Sequence, residues 1–428
     1  MSAALDRTFL SLQVPNYRRY FAGQIVSLAG NWMQIVAETW LVVKLTGSGV
    51  SVGLTAALQF LPILLFAAWG GVIADRVDKR RLLMVTQTLM ALPALTLWGL
   101  TLHGAIEIWM VYALVFVRGT INAIDNPARQ SFVSELVGTD RLVNAVALNS
   151  VIVHTARIAG PAAAGAVIAF FGVGPCFLVN ALSFGAMLVA LWGMDPSALL
   201  RPRRVPRERG QLRSSLRYVQ TTPALWIPLA MMALVGTLSF NFQVLLPLFA
   251  SFTWHGTATT YALLTTAMGV GSVVGALMAG ARGRVSPTLL VGASAAFGVL
   301  LLAAAAAPTL PLQVATLVPL GVVSVTFAAG VNSALQIAVD PLMRGRVMAL
   351  YSVVFVGSTP IGAPFVGWLA QAFGPRAGLV VGGVAALVAA VGARAAWERI
   401  GQPVAVDRHT MRRRAAARMA ALSGAARR

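Results

Sequence analysis

Long runs of apolar residues follow one another along almost the whole chain, and they constrain its fold more than any other feature. A membrane-spanning helix needs about 20 such residues to cross the hydrocarbon core. Twelve runs reach that length, with approximate centres at residues 31, 62, 92, 117, 156, 184, 236, 269, 297, 323, 360 and 386. The sequence therefore predicts an all-α integral membrane protein with twelve transmembrane helices embedded in the lipid bilayer.

The scarcity of charged residues excludes a water-soluble protein. Only 11% of the residues are charged, whereas soluble domains carry about 25%, and the mean hydropathy is +0.77. The net charge of +20 would otherwise suggest a nucleic-acid partner. Here the basic residues form short clusters between apolar runs, as membrane orientation signals do. We therefore expect no nucleic-acid partner.

The basic clusters also predict the orientation. If both termini are cytoplasmic and successive breaks alternate sides, 29 of the 33 basic residues fall in inner segments and only Lys44 and Arg376 in outer ones. This bias follows the positive-inside rule. Apart from Lys44 and Lys79 the basic residues are arginines, and alanine and glycine are abundant, which suggests a GC-rich bacterial genome. We predict a multi-pass protein of the bacterial inner membrane with both termini cytoplasmic.

The longest inner segment divides the chain into two halves. Residues 195–222 are rich in arginine and proline and read as a cytoplasmic linker. We expect one six-helix bundle over residues 1–194 and a second over 223–398. A basic tail, 399–428, follows and is expected to lie near anionic lipid headgroups in the cytoplasm.

The two halves show self-similarity at an offset of 202 residues. Small residues of the fifth helix recur in the eleventh: Gly160, Gly165 and Gly172 correspond to Gly362, Gly367 and Gly374. Internal repeats are typical of secondary transporters, which bind substrate at the repeat interface near the bilayer midplane.

A stripe of polar residues runs along the first helix. Gln24, Ser27, Asn31, Gln34 and Glu38 are spaced by three or four residues, which places them on one helical face. Such a face is costly against lipid, so we expect it to line a substrate cavity. The alternative is a set of polar contacts that hold neighbouring helices together.

Charged residues inside the predicted spans point to a coupling mechanism. Glu38 lies in the outer half of the first helix, Arg118 in the fourth and Arg157 in the fifth. We hypothesise that Glu38 pairs with Arg118 or Arg157 across the cavity. Proton binding at Glu38 would loosen the pair and favour another conformation.

Other polar residues of the fourth and fifth helices extend this site. Asn122 shares a helical face with Arg118 and is a candidate for the substrate cavity. His154 could act as a proton relay, or it could be a hydrogen-bonded packing residue. Asp125 is expected to pair with Arg80 or Arg129 near the cytoplasmic end.

The second half has only neutral candidates for the cavity. They are Asn241 and Gln243 in the seventh helix, Asn332 and Gln336 on one face of the tenth, and Ser352 in the eleventh. A cavity with so little charge favours an amphipathic or apolar substrate over a sugar.

The break after the second helix resembles the signature of the major facilitator superfamily of transporters. Gly71 is followed after three residues by Asp75 and then by basic residues, although Asp78 stands where the family has a second glycine. The basic residues are Arg76, Lys79, Arg80 and Arg81. The resemblance implies that Asp75 meets the start of the eleventh helix and a basic residue such as Arg129, and so locks one conformation. A simple orientation cluster is the alternative.

Two further motifs resemble the same superfamily. Arg118-Gly119 lies within the fourth helix. In the fifth, Gly160-Pro161 followed by Gly165 is similar to a motif associated with antiporters. Glycine and proline in a membrane helix also permit close packing and bending, so a packing role is an equal alternative.

Three stretches resemble one branch of the superfamily, which includes the enterobactin exporter and macrolide efflux proteins. They are Asn126–Arg129, Arg141–Ala145 and Asp340–Val347. The resemblance implies the major facilitator fold, with twelve helices in two six-helix bundles, and a monomeric transporter.

These features together predict a secondary active transporter. We expect proton-coupled export, by alternating access, of a small amphipathic molecule such as a drug or siderophore. A proton-coupled importer of a metabolite and a non-transporting membrane sensor are the alternatives. The sequence has no Walker loop, zinc-binding motif or nucleophile elbow, so we expect neither an enzyme nor an ATP-driven pump. The single cysteine, Cys176, excludes a multi-cysteine metal cluster, and no cofactor or metal is expected.

Overall fold

A computed structural model describes residues 9–200, 217–282, 285–340 and 343–400. Long helices make up most of this structure. In the first half they are α1 (Pro15–Thr46), α2 (Gly49–Arg76), α3 (Lys79–Leu102), α4 (Ile108–Gly138), α5 (Asp140–Phe171) and α6 (Gly174–Trp192). In the second half they are α7 (Pro223–Thr253), α8 (Ala258–Arg282), α9 (Pro287–Ala306), α10 (Leu310–Ala338), α11 (Arg344–Phe373) and α12 (Pro375–Arg399). The basic tail beyond residue 400 and most of the linker lie outside the described residues.

Non-standard backbone conformations occur at two places in the helices. Gly138, with φ of +69°, separates α4 from α5, which otherwise form one continuous helical run. The left-handed conformation there costs a glycine little, because it has no Cβ. Helix α7 breaks after Leu238 and ends in a π-helical turn, Phe249–Thr253.

The helices agree with the predicted number of membrane spans. Eleven of them, within the described ranges, are long and apolar enough to cross a bilayer. The remaining helix, α1, has 32 residues and is long enough to span as well. Its polar stripe lowers its hydropathy, which explains why it falls outside the apolar set.

Glycines allow two pairs of helices to cross closely at equivalent places in the two halves. A Cβ atom at Gly70 of α2 would lie 2.2 Å from the carbonyl oxygen of Ala123 in α4. A Cβ at Gly271 of α8 would lie 1.8 Å from the carbonyl oxygen of Val318 in α10. Only glycine permits such backbone contact, and small residues at helix interfaces are common in membranes.

The repeated glycines of α5 and α11 occupy equivalent positions as well. A Cβ at Gly160 would lie 2.5 Å from the Cβ of Trp32 in α1, and one at Gly362 would lie 1.9 Å from the carbonyl oxygen of Thr237 in α7. Both helices end at a glycine with positive φ, +80° at Gly172 and +85° at Gly374. The sequence repeat is therefore matched by a repeat in helix packing.

The two halves meet at the end of the molecule that lies away from the start of α1. A Cβ at Gly53 of α2 would lie 2.3 Å from the carbonyl oxygen of Ala363 in α11. Near the same end, the rings of Trp40 and Tyr261 stack with their centroids 6.5 Å apart. The hydroxyl of Ser48 donates to Oε1 of Gln371 at 2.7 Å. These contacts close this end, which we call the closed end.

Candidate transport site

The site centres on a buried ion pair between α1 and α4. Nη2 of Arg118 lies 2.6 Å from Oε2 of Glu38, and the two residues are only 5% and 2% exposed. Nη1 of Arg118 donates a second hydrogen bond, 3.1 Å long, to Oδ1 of Asn31. The structure thus pairs Glu38 with Arg118, one of the two arginines that the sequence proposed for it.

A chain of hydrogen bonds extends this pair to α6. Nε2 of Gln34 donates to Oε1 of Glu38 at 3.0 Å, and Nδ2 of Asn180 donates to Oε1 of Gln34 at 2.5 Å. The hydroxyl of Ser183 donates to Oδ1 of Asn180 at 2.9 Å. Because each group has a partner, both oxygens of the Glu38 carboxylate are held in place. Asn180 was missed by the sequence reading, since a lone asparagine in an apolar helix gives no periodic signal.

A second ion pair lies toward the start of α1. Nη2 of Arg129 lies 2.9 Å from Oδ2 of Asp125, one helical turn away on α4. Oδ1 of Asp125 also accepts from Thr86 at 2.6 Å and from Gln87 at 2.9 Å. Nη1 of Arg129 donates to Oε1 of Gln24 at 2.9 Å. The partner of Asp125 is therefore Arg129 and not Arg80.

Part of the predicted cavity lining is buried in this conformation. Gln24 and Gln34 are 3% and 0% exposed, and both are engaged in bonds between helices. Asn241 is 2% exposed, and its Nδ2 donates to the carbonyl oxygen of Thr237 at 2.7 Å. In this conformation these three residues make polar contacts between or within helices, and their role in the substrate cavity stays a prediction. Helical periodicity gives the shared face but not what that face meets.

Other candidates for the cavity are less buried. Asn31, Asn122 and Asn332 are partly buried, and Gln336 is exposed. Nε2 of Gln336 donates to Oδ1 of Asn332 one turn away on α10. These four side chains remain candidates for substrate contact.

Arg157 and His154 form a separate group on α5. The guanidinium of Arg157 lies over the ring of Trp32 in α1, with 5.1 Å from its carbon to the ring centroid. Nε of Arg157 and Nδ1 of His154 are both buried without a hydrogen-bond partner among the described residues. Among the described residues, Glu38 forms its ion pair with Arg118 and not with Arg157.

Two residues of the predicted switch loop make defined contacts at the start of α3. Asp78 caps this helix, because its Oδ1 accepts from the backbone N–H of Arg81 at 3.0 Å. Arg80 donates from Nε to the carbonyl oxygen of Leu191 at 2.7 Å and from Nη2 to that of Trp192 at 2.8 Å. An N-cap is one reason for an aspartate to stand where the family has glycine.

Three charged members of the loop motif lie at the surface. Asp75, Arg76 and Arg81 are exposed around the end of α2 and the start of α3. A Cβ at Gly71 would meet no atom within 4 Å. The conformational lock that the family resemblance implied remains a prediction.

The antiporter-like motif of α5 makes packing contacts. Gly160 allows the close approach to Trp32, and Pro161 is buried. A Cβ at Gly165 would lie 2.5 Å from the Cβ of Ala262 in α8, so this glycine sits where the two halves meet. The motif thus controls how closely α5 approaches α1 and α8, while a role in antiport stays a prediction.

Comparison with known proteins identifies the family. The model of the transmembrane secretion effector family, which is part of the major facilitator superfamily, matches residues 7–414. The chain belongs to this family. Its solved structural relatives include an inward-facing bacterial homolog of the human lysosomal transporter Spinster. That structure superposes with a TM-score of 0.70 at 15% identity, over 89% of this chain and 97% of the other.

Sequence relatives place the chain in the predicted branch of the superfamily. The enterobactin exporter of Citrobacter koseri is 26% identical over 86% of this chain and 88% of its own length. The staphyloferrin A transporter of Staphylococcus aureus is 24% identical over 60% of this chain. The chain spans 65% of the length of that transporter and 49% of an uncharacterized MFS-type transporter of Bacillus subtilis, which is 26% identical over 48% of this chain. These family members are membrane transporters and not enzymes.

Proposed function

We propose that this member of the secretion effector family exports a small amphipathic organic molecule in exchange for protons. It would act as a monomer in the bacterial inner membrane, by alternating access between the two six-helix halves. Relatives whose names describe enterobactin export and macrolide efflux support the direction of transport. The basic loops support cytoplasmic termini, so the closed end would face away from the cytoplasm.

The buried pair of Glu38 and Arg118 carries the proposal of proton coupling. In a nearly dry environment, a carboxylate and a guanidinium 2.6 Å apart stabilise each other strongly. A proton on Glu38 removes the negative charge and leaves Arg118 as an uncompensated buried cation, which is strongly unfavourable. Protonation is therefore coupled to a rearrangement that gives Arg118 a new environment.

The position of the pair connects this rearrangement to both α1 and the closed end. Glu38 lies two residues before Trp40, which stacks on Tyr261 of α8. Glu38 and Trp40 both belong to α1. A shift of α1 that gives the unpaired Arg118 a new environment therefore also displaces Trp40. The contact between the two halves would then respond to the proton.

Transport in vesicles tests this proposal. Purified protein in proteoliposomes, or the protein in inverted vesicles, is given an outward-directed proton-motive force with an acidic lumen. Accumulation of a catecholate siderophore, a macrolide and a lipophilic cation dye in the lumen is then followed. We expect gradient-dependent accumulation of one compound, abolished by Glu38→Gln. Glu107→Gln is the matched control, because Glu107 is an exposed carboxylate outside the spans.

Two results would contradict the proposal. Unchanged gradient-driven transport in Glu38→Gln would show that the pair does not couple protons to transport. Accumulation only when protons are driven into the lumen would show that substrate and protons move in the same direction, as in a proton-coupled importer.

A further inference from the structure

Arg157 is a cation within a membrane span, and it has no acidic partner among the described residues. It lies near the middle of α5, which spans Asp140–Phe171. The buried carboxylates of the described first-half helices are already paired. These pairs are Glu38 with Arg118, Asp125 with Arg129 and Glu135 with Lys79. A charge at this depth is costly without a partner and is usually functional.

The surroundings of Arg157 suit a ligand with a flat, apolar part. Trp32 of α1 lies against one face of the guanidinium at 5.1 Å. On the side of α8 there is no side chain at the crossing point, because a Cβ at Gly269 would lie 3.2 Å from the carbonyl oxygen of Arg157. A guanidinium that rests on an aromatic face keeps its N–H edge free for an acceptor in its own plane.

Three of the buried polar atoms without a hydrogen-bond partner among the described residues belong to α5 and α8. Nε of Arg157 and Nδ1 of His154 are buried without hydrogen-bond partners, and so is the hydroxyl of Thr266. Thr266 lies between Ala262 and Gly269, two of the positions where α8 touches α5. Buried polar groups in folded proteins usually have a hydrogen-bond partner, so these three atoms are open to one supplied by a ligand.

The charges around the crossing favour an anionic partner. The carboxylates of Glu38 and Asp125 are already engaged by arginines, so neither is free to meet a cationic substrate. In the second half, the described spans carry an acid only at Glu398, which pairs with Arg394 near the end of α12. A cation would meet Arg157 and no free carboxylate, whereas an anion would neutralise Arg157.

We propose that Arg157 and Trp32 bind the anionic group of an aromatic or otherwise flat organic substrate, such as a carboxylate or catecholate. The inference rests on the proposed transport function and narrows it to organic anions. The guanidinium supplies paired, charge-assisted hydrogen bonds to the anion, and Trp32 packs on its apolar part. His154 and Thr266 are positioned to complete the polar contacts.

Ligand-induced stabilisation of the purified full chain tests this assignment. Thermal unfolding can be followed with a thiol-reactive dye, because Cys176 is the chain's single cysteine and is buried. The probes are 1-naphthoate, 2,3-dihydroxybenzoate and tetraphenylphosphonium. We expect at least one of the two anions to raise the melting temperature of the wild type, and the cation to leave it unchanged.

Variants at Arg157 separate a binding role from a structural one. Arg157→Gln should weaken anion binding at least about tenfold, as expected for loss of one charge-assisted contact, and should raise the melting temperature without ligand because the unpaired charge is gone. Arg157→Lys should keep the preference for anions at lower affinity. Arg394→Gln, which removes an exposed arginine in α12, should leave anion binding unchanged.

Three outcomes would overturn the assignment. They are stabilisation by tetraphenylphosphonium alone or by no probe, retention of anion binding in Arg157→Gln, and failure of Arg157→Gln to fold, which would make the guanidinium structural. The binding assay needs no proton gradient. If anions bind through Arg157 but no transport is driven by the gradient, only proton-coupled export is rejected. If transport is driven by the gradient but anions do not bind through Arg157, only the anion site is rejected.

Discussion

Glu38 and Arg118 form an ion pair 2.6 Å long between α1 and α4, almost completely removed from solvent. Gln34 donates to the other carboxylate oxygen of Glu38, and Asn31 accepts from Nη1 of Arg118. Nε of Arg118 is buried without a hydrogen-bond partner among the described residues. A buried pair of this kind contributes little net stability relative to an apolar pair, but removal of one partner is strongly destabilising. The geometry thus makes the fold sensitive to the charge on Glu38.

The first prediction concerns the energetic coupling within this pair. Arg118→Gln and Glu38→Gln should each lower the free energy of unfolding by about 3–5 kcal/mol, because each leaves the other charge buried and unpaired. The double variant should lose much less than the sum of the two. Thermal unfolding with the Cys176 reporter measures all three. Additive losses would show that the two side chains are energetically independent.

The second prediction concerns the close crossing of α8 and α10. Gly271→Ala should destabilise the protein by about 1–3 kcal/mol, since its Cβ would lie 1.8 Å from the carbonyl oxygen of Val318 and force the helices apart. Gly292→Ala is the matched control, because a Cβ there meets no atom within 4 Å. It should be neutral or stabilising by up to about 1 kcal/mol from helix propensity. Equal effects in an unfolding assay would contradict the packing described.

The third prediction separates two neighbouring arginines of the loop motif. Arg80 donates to the last carbonyl groups of α6, at Leu191 and Trp192, whereas Arg81 is exposed. Arg80→Ala should therefore lower the melting temperature and increase proteolysis near residue 193, and Arg81→Ala should do neither. Limited proteolysis and thermal unfolding together check this. A larger effect of Arg81→Ala would indicate that the cluster acts only through charge.

Much of the fold could be predicted because the bilayer imposes simple rules. Helices must be about 20 apolar residues long, so their number follows from composition even for α1, whose polar stripe hides it from a hydropathy criterion. The face shared by Asn31, Gln34 and Glu38 follows from helical spacing. The choice of an arginine as partner for Glu38 follows from the shortage of charges inside the spans.

The specific contacts could not be predicted, because they depend on which helices become neighbours. Arg80 is placed by sequence at the start of α3, but its reach to the end of α6 depends on how those helices pack. Likewise, the sequence contains 40 glycines, and nothing local distinguishes Gly271, which lies in a crossing, from Gly292, which does not. The sequence also places Gln24 and Gln34 on the polar face of α1, but it does not show which neighbouring helices that face meets.

The response of the closed end to protonation of Glu38 can be measured directly. Spin labels at Val50 in α2 and Phe373 in α11, both exposed, in a background with Cys176→Ala, report the distance across this end by double electron–electron resonance. Proton-coupled alternating access predicts that the distance distribution shifts between alkaline and acidic pH in the otherwise wild-type chain. In Glu38→Gln, one distribution should persist at both values of pH. A shift that is unchanged in Glu38→Gln, or no shift in either protein, would contradict Glu38 as the proton switch.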